Sequence, residues 1–363
     1  MNKLTKLLFS VISSVAIATS AFAGEFAVTG SAKATYTILS NSGTTGTHGQ
    51  GKGLGIANEF SLGASGELDN GMTWSYAQDI DGATVQDDAS MSLGTDYGTF
   101  KVCISECGLS TKYAFDNSAY GVGSDTGYGG GSTSSGASAN TMQYGANISS
   151  YNNVQYHAPA DLLPFGMTFK YAITPGGASG TANDSVHSVS DTKATPGDMT
   201  QMAATVTPID GLTISASYYD FDELGTKNSK QTSEGGSVAL NYAYGNLSIG
   251  YGETRHVPNL RTGQSNTAAH TKGYENEAYS IGWAVNDALS VSYTNEESTK
   301  VAAYDNVAGV RQDSNVTMEI DTIDLSYTVG GMTIGLSQSE TSTDSYTTGD
   351  EVTETILAVS MAF

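Results

Sequence analysis

EVTETILAVSMAF, residues 351–363, ends the chain with a strict alternation of two kinds of side chain. One face of the predicted strand receives Leu357, Val359, Met361 and Phe363. The other face receives Ile356, Ala358, Ser360 and Ala362, which are small apart from Ile356. A period of two with an aromatic terminus is typical of a transmembrane barrel, in which one face meets lipid and the other a lumen. An edge strand of a soluble sandwich would alternate equally well, so this strand alone leaves both architectures open.

The same alternation recurs along the chain in pairs of segments joined by short turn sequences. These turns carry Asp69-Asn70-Gly71, Asp210-Gly211, Gly245-Asn246 and Gly330-Gly331. Long polar segments separate the pairs and cover residues 105–150, 174–200, 220–235 and 254–275. A sandwich gives no reason for short and long connections to alternate, whereas outer-membrane barrels have short turns on one side and long loops on the other. The sequence therefore predicts an all-β fold, a transmembrane antiparallel β-barrel of about 16 strands with short periplasmic turns and long external loops.

Aromatic residues support a barrel that lies in a membrane. They cluster toward the ends of the apolar sets, at Tyr218, Tyr244, Tyr251, Trp283, Tyr293 and Tyr327. Amphipathic rings are most stable where hydrocarbon meets head groups, although strands of soluble proteins are also rich in aromatic residues. No run of about 18 apolar residues follows the N-terminal leader, so a spanning structure would have to be a closed barrel.

The first residues have the features of a secretory signal. Lys3 and Lys6 precede an apolar run, and Ala21-Phe22-Ala23 offers a small-x-small cleavage site, so we expect a signal peptide at 1–23. Removing its two lysines takes the net charge from −22 to −24. A chain with this charge is not expected to bind nucleic acid or anionic lipid through charge.

Taken together, the leader, the alternating strands, the unequal connections and the terminal Phe363 resemble a general diffusion porin of Gram-negative outer membranes. The resemblance covers residues 24–363 and implies an outer-membrane homotrimer that passes ions and small hydrophilic solutes. It also implies that the third long loop, residues 105–150, folds toward the lumen. Phe363 would be part of the signal that the barrel-assembly machinery reads.

Strand parity assigns charged side chains to the lumen of such a channel. The bases are Lys33, Lys101 and Lys170, and the strand acids are Asp79, Asp88, Asp324 and Glu354. Glu106, Asp116 and Asp125 lie on the long loop that is expected to enter the bore. Because the acids outnumber the bases, we expect a pore that prefers cations. A basic wall facing an acidic loop would instead give a transverse field and mild selectivity.

The two cysteines and one acidic segment suggest further structural features. Cys103 and Cys107 would form a disulfide at the root of the longest loop in an oxidising compartment, with two free thiols as the alternative. An acidic loop from Asp79 to Asp88 could hold Ca²⁺, although a solvated loop is the simpler interpretation. No other metal or cofactor is expected.

Enzyme motifs are missing from the sequence, including GxSxG, HExxH, the Walker loop and GxGxxG. We therefore expect no enzymatic activity. A barrel enzyme, an adhesin and a secreted soluble β-protein remain as alternatives. Small residues with outward parity at the N-terminal end suggest a smooth wall for a trimer contact, and they are Gly30, Ala32, Ala34, Ala64 and Gly66.

Overall fold

The structure is a computed structural model of the chain. It describes residues 25–42, 51–81, 84–126, 142–174, 198–222, 229–258, 260–261, 271–302 and 315–363. The expected signal peptide lies outside these residues, as does most of the Gly- and Ser-rich part of the long loop.

Sixteen antiparallel strands form one closed barrel. In chain order the strands are β1 Glu25–Asn41, β2 Gly51–Glu67, β3 Thr73–Asp81, β4 Thr84–Thr95, β5 Gly98–Ile104, β6 Asn153–His157, β7 Thr168–Ile173, β8 Met199–Ile209, β9 Leu212–Phe221, β10 Ser229–Gln231, β11 Glu234–Tyr244, β12 Leu247–Val257, β13 Leu260–Arg261, β14 Thr271–Ala284, β15 Leu289–Ala302, β16 Val316–Val329, β17 Met332–Ser342 and β18 Glu351–Ala362. The short strands β10 and β13 pair with each other outside the barrel. The predicted all-β barrel and its strand number are confirmed, and the soluble sandwich is excluded.

The alternation in the sequence becomes an apolar outer face and a polar inner face. On β1, Phe26 and Val28 are about half exposed, whereas Thr35 and Thr37 on the opposite face are buried. Leu357 and Met361 of β18 are likewise exposed, and Ala358 between them is 3% exposed. Side chains of successive strand residues point to opposite faces, so every second residue of these strands meets lipid and the others face the interior.

The barrel closes where the C-terminus meets β1. The backbone N–H of Phe363 donates to the carbonyl of Gly30 at 2.9 Å, and the N–H of Gly30 donates back to Phe363 at 2.8 Å. The Phe363 ring packs edge-on against Phe60 of β2, with ring centroids 5.5 Å apart. A Cβ at Gly30 would lie 2.7 Å from this ring, so glycine is needed for the fit.

Two of the small outward residues at the N-terminal end face aromatic rings. Gly30 lies under the ring of Phe363, and the space above Gly66 is filled in the same way by the indole of Trp74. Both glycines therefore make room for an aromatic ring of the same chain.

The wall of the barrel is uneven in height. β1 and β2 each have 17 residues, whereas β5, β6 and β7 have 7, 5 and 6. β3 ends at Asp81 and β4 begins at Thr84, so the expected acidic loop from Asp79 to Asp88 is wrong. Asp79 and Asp88 are instead cross-strand partners in the barrel wall. The connection between β3 and β4 is short because the two strands stay paired as far as Asp81 and Thr84.

Helical structure is sparse. The longest described helix is the single turn Gly123–Thr126, and no helix among the described residues is long and apolar enough to cross a membrane.

We predict that Phe363→Ala lowers the free energy of unfolding by about 1 to 2 kcal/mol, because the closing contact with Phe60 and the cover over Gly30 are lost. Urea unfolding in detergent micelles, followed by tryptophan fluorescence, measures this change. Met361→Ala is the matched control, since Met361 lies on β18 and is as exposed as Phe363. Equal losses for the two variants would contradict the proposed closing role.

Candidate functional site: the narrowed lumen

The long loop after β5 turns into the barrel at its root. Cys103 and Cys107 form a disulfide there, with their Cα atoms 6.1 Å apart. Ser105 and Cys107 have left-handed φ angles of 51° and 67°, which redirect the chain sharply after β5. The turn and the disulfide together fix the direction in which the loop leaves the wall.

Two polar side chains of β6 hold this root from below. The Asn153 side chain donates to the carbonyl oxygens of Glu106 at 3.0 Å and of Tyr151 at 2.9 Å. Gln155 donates to the carbonyl oxygen of Cys107. Both amides are nearly fully buried, and buried polar groups of this kind are costly unless they are bonded. The two ends of the loop are therefore fastened to the same short strand.

From its root the loop follows the inner wall of the barrel. Backbone N–H groups of the loop donate to inward-facing serine hydroxyls on three strands of the wall. These bonds join Thr111 to Ser217 of β9 at 3.0 Å, Asn117 to Ser280 of β14 at 2.9 Å, and Ala119 to Ser292 of β15 at 2.7 Å. The wall thus supplies acceptors for loop backbone that would otherwise be buried without partners.

Glycines create the space in which the loop lies. A Cβ at Gly250 of β12 would overlap the carbonyl oxygen of Phe115, and one at Gly252 would lie 2.8 Å from the Phe115 ring. The Phe115 side chain is 1% exposed. Farther along, Gly335 of β17 faces the ring of Tyr120 in the same way. The loop therefore lies directly on the strand backbone, as only small inward residues permit.

The outgoing and returning limbs of the loop meet at one buried carboxylate. Glu296 of β15 is fully buried and accepts hydrogen bonds from the backbone N–H of Ser124 at 3.1 Å and from the Ser124 hydroxyl. Its carboxylate also accepts from the hydroxyl of Tyr144 on the returning limb at 2.8 Å. Three donors satisfy a charge that would be costly to bury alone. Glu296 was missed from the sequence, although the outward parity of Leu289, Val291 and Tyr293 places it on the inner face.

Apolar side chains fill the space between the loop and the wall. Three clusters of buried residues lie there, one made of Phe115, Val122, Ala239 and Ala278, a second of Met142, Tyr144, Met318 and Ile320, and a third that includes Leu109, Ile148, Met199 and Phe221. The hydrophobic core of this protein therefore lies inside the barrel, beneath the loop. This position of residues 105–126 and 142–150 narrows the lumen from one side.

The predicted lysines occupy lumen-facing positions at different places on the wall. Lys33 of β1 holds its ammonium 5.5 Å from the centroid of the Tyr120 ring, a cation–π distance. Lys101 and Lys170 are partly exposed on β5 and β7. His157 of β6 is the register partner of Lys170, a neighbour that linear spacing did not reveal.

Two predicted lining acids are covered by protein. Asp324 of β16 is 1% exposed and Glu354 of β18 is 4% exposed. Strand parity correctly points both carboxylates inward, but the loop lies over this part of the wall, and the Ser292 hydroxyl donates to Asp324 at 3.3 Å. The expectation that they line the open bore is therefore wrong. Parity gives the face of a strand and cannot show what covers it.

The other predicted acids remain partly accessible. Asp79 and Asp88 have lumen parity and intermediate exposure, and Asp125 of the loop is exposed. Glu106 accepts a hydrogen bond from the N–H of Cys107, and Asp116 accepts one from Ser118, each at 2.6 Å. These last two carboxylates therefore also shape the loop.

A cation of the loop was also missed from the sequence. The Lys112 ammonium lies 4.8 Å from the ring centroid of Tyr113 and 5.9 Å from that of Tyr144. Burial lowers the pKa of Lys112, and the carboxylate of Asp125 opposes this effect. Burial likewise raises the pKa of Asp125, with Lys112 acting against the rise and Asp116 adding to it. Lys112 and Asp125 therefore influence each other's charge on the loop.

Among the residues that the structure describes, no group of three or more His, Cys, Asp or Glu side chains is arranged to hold a metal ion. Asp79 and Asp88 come together as a pair, and the side chains of residues 81–87 lie outside the description. Hard oxygen ligands in larger number are what Ca²⁺ requires. The possible Ca²⁺ site in the acidic segment stays a prediction.

Comparison with known proteins identifies the architecture. No protein-family profile matches the chain, and no curated protein matches its sequence. A refined porin structure superposes with a TM-score of 0.60 at 13% identity, over 93% of this chain and all 100% of that porin. The fold is that of the porins.

Two further solved structures have the same fold. The trimer form of OmpT, an outer-membrane protein of Vibrio cholerae, gives a TM-score of 0.60 at 11% identity, over 94% of this chain and 100% of that chain. OmpF of Salmonella typhi in complex with daunomycin gives 0.59 at 12% identity, over 94% of this chain and 98% of that chain. At such low identity the comparisons concern the porin fold, and function has to be argued from the site.

We predict that Gly250→Val displaces the loop from the wall, because the new side chain would occupy the position of the Phe115 carbonyl. Partial release of the loop should make trypsin cleavage after Lys112 at least about tenfold faster, which corresponds to about 1.4 kcal/mol of lost loop stability. Gly63→Val is the matched control, since a Cβ at Gly63 meets no atom within 4 Å. An unchanged cleavage rate in the Gly250 variant would show that the position of the loop does not depend on its contact with Gly250.

Proposed function

We propose that this protein is an outer-membrane porin, a water-filled channel for passive diffusion of ions and small hydrophilic solutes. The observation that carries the proposal is a closed 16-strand barrel whose third long loop lies along one inner wall. Barrels of this size leave an aqueous channel, and an internal loop sets its narrow part. Ser31 and Glu59, register partners on the inner face of β1 and β2, are exposed, which supports an open passage beside these strands.

The outer surface supports a location in the outer membrane of a Gram-negative bacterium. Apolar side chains are exposed around the barrel, as in Val102 of β5, Ile249 of β12 and Leu336 of β17. A closed barrel of this kind satisfies its backbone groups within lipid. Export through a cleaved signal peptide, assembly through Phe363 and trimer formation belong to this proposal as well.

Cation preference is the second part of the proposal. Glu59, Asp79, Asp88 and Asp125 are accessible acids on the lumen side, and Lys33, Lys101 and Lys170 are the facing bases. With Asp324 and Glu354 covered by the loop, the excess of acid is smaller than strand parity suggested. The preference for cations should therefore be mild. Charge on the narrow part of the bore decides selectivity because its low-dielectric walls concentrate the field.

Purified protein in a planar lipid bilayer provides the direct test. We predict stepwise current increments whose size scales with salt concentration, because an open aqueous channel conducts like the solution that fills it. Heat-unfolded protein in the same detergent is the control. A properly folded barrel that gives no steps over a wide voltage range would overturn the channel proposal and favour an adhesin or an enzyme.

We predict that Asp79→Asn with Asp88→Asn shifts the reversal potential across a tenfold KCl gradient toward the anion equilibrium potential by several millivolts, since two lumen carboxylates are neutralised. Glu253→Gln with Glu340→Gln is the matched control, because it removes the same charge from exposed positions on the outer face of the barrel. Screening over about 8 Å at physiological ionic strength should leave the control unchanged. Equal shifts in both variants would mean that total charge, and not the lumen, sets selectivity.

A further inference from the structure

A groove lies in the outer face of the barrel, where β7, β8, β9, β11 and β12 run side by side. It has a volume of about 430 Å³. Its floor is made of three small outward residues, Ala204, Ala216 and Gly236. Its sides are the larger outward side chains of Phe169, Met202, Tyr218 and Val238. Binding sites for organic ligands have volumes of about 300 to 1,000 Å³, so this β7–β12 groove is large enough to hold part of one.

The strand register accounts for the shape of the groove. Ala204 and Ala216 are cross-strand partners at its centre, with Phe169 opposite the first and Val238 opposite the second. Gly236 continues the floor toward β12. Four strand spacings separate β7 from β12, a width of about 19 Å. One leaflet contributes about half of the 30 Å hydrocarbon core, so the groove has the dimensions of a lipid acyl chain.

The outer end of the groove carries a cation. Arg255 of β12 lines the groove there and is the register partner of Gly236. Its guanidinium lies 3.6 Å from the carboxylate of Glu275, and the two side chains are 74% and 56% exposed. An ion pair this exposed is weak, and a guanidinium has five N–H donors. Arg255 therefore has donors to offer a phosphate group, with which arginine makes strong, charge-assisted hydrogen bonds.

Carboxylates lie beside this arginine. Glu253 also lines the groove, and Glu234 accepts a hydrogen bond from the Tyr218 hydroxyl at 3.0 Å. They belong to an arc of the outer surface, from β9 round to β18, whose outer half carries Asp220, Glu234, Glu253, Glu275, Glu277, Glu297, Glu319, Asp321, Glu340 and Glu351. Such an arc repels a lipid whose head group has a net negative charge. A head group with one phosphate and one ammonium matches both signs of charge at this end of the groove.

We propose that the β7–β12 groove is a binding site for a zwitterionic phospholipid. One acyl chain lies over Ala204 and Ala216, the phosphate accepts from Arg255, and the ammonium donates to Glu253. The inference rests on the membrane location in the proposed function and goes beyond it by assigning a lipid to named residues. Acyl chains are as apolar as the wall, so the groove contributes shape and van der Waals contact, and the head group decides which lipid is retained.

Native mass spectrometry of the protein released from detergent micelles, after titration with phosphatidylethanolamine, counts the lipids that each chain retains. We predict one retained lipid per wild-type chain and none for Ala204→Phe with Ala216→Phe, because the two rings fill the floor of the groove. Val291→Phe with Val329→Phe is the control, since it adds the same rings to outward positions on β15 and β16. A wild type that retains only detergent, or equal retention in the two double variants, would overturn the proposal.

The head group is tested with Arg255→Gln, which keeps an exposed side chain and leaves the floor of the groove unchanged. Its affinity for phosphatidylethanolamine should fall about tenfold, because the phosphate loses its charged donor. Lys52→Gln is the control, since it removes an exposed cation from the outer end of β2. Phosphatidylglycerol with the same acyl chains should bind the wild type more weakly than phosphatidylethanolamine. An equal or tighter fit of this anionic lipid would overturn the assignment.

A photo-crosslinking amino acid at position 216 identifies the occupant in cells. The crosslinked chain should gain the mass of one phospholipid. A crosslink to a second copy of the chain, to another protein or to a glycolipid would overturn the proposal. Single-channel current is recorded for the same preparations. Current without lipid retention would reject only the lipid site, and lipid retention without current would uphold that site and reject only the channel.

Discussion

Backbone hydrogen bonding in a lipid environment is the constraint on which the rest of this structure depends. With no water in the hydrocarbon core, a β-sheet can cross only as a closed barrel. Closure requires β1 to meet β18, and the reciprocal bonds between Gly30 and Phe363 complete that ladder. The ring of Phe363 then covers Gly30 and contacts Phe60, so the terminal residue contributes both backbone pairing and side-chain contact.

A closed barrel of this size has a wide interior, and the long loop is what makes it narrow. The loop can lie on the wall because inward positions are serine and glycine, which supply acceptors and space, as Ser280 and Gly250 do for Asn117 and Phe115. Apolar clusters and the buried carboxylate of Glu296 hold its two limbs. The same coverage removes Asp324 and Glu354 from the bore, so the loop decides both the width of the passage and the charges that line it.

The two arcs of the outer surface carry different side chains. Carboxylates in the outer halves of β9 to β18 suit a polar membrane boundary, whereas Leu54 and Ile56 on β2 are apolar in the corresponding part of their strand. Strand length also differs around the barrel, and the shortest strands of the wall are β5 to β7. Strand length and surface charge therefore distinguish the two arcs of the outer surface.

The sequence by itself determined the barrel, its sixteen strands and the outward faces, because a period of two and tight turns are local properties that residues such as Leu357 and Gly330 express directly. It also indicated that Cys103 and Cys107 could join. Only the tertiary structure decided which inward residues reach the bore, since Asp324 and Glu354 are buried on the wall that the loop covers. The loop meets this wall through contacts such as Gly123 with Thr322 and Tyr120 with Gly335, which join residues about 200 positions apart in sequence. Acidic residues are depleted in strands, so the segment around Asp79 and Asp88 was expected to be a loop. In the tertiary structure Asp79 and Asp88 are cross-strand partners and belong to the barrel wall.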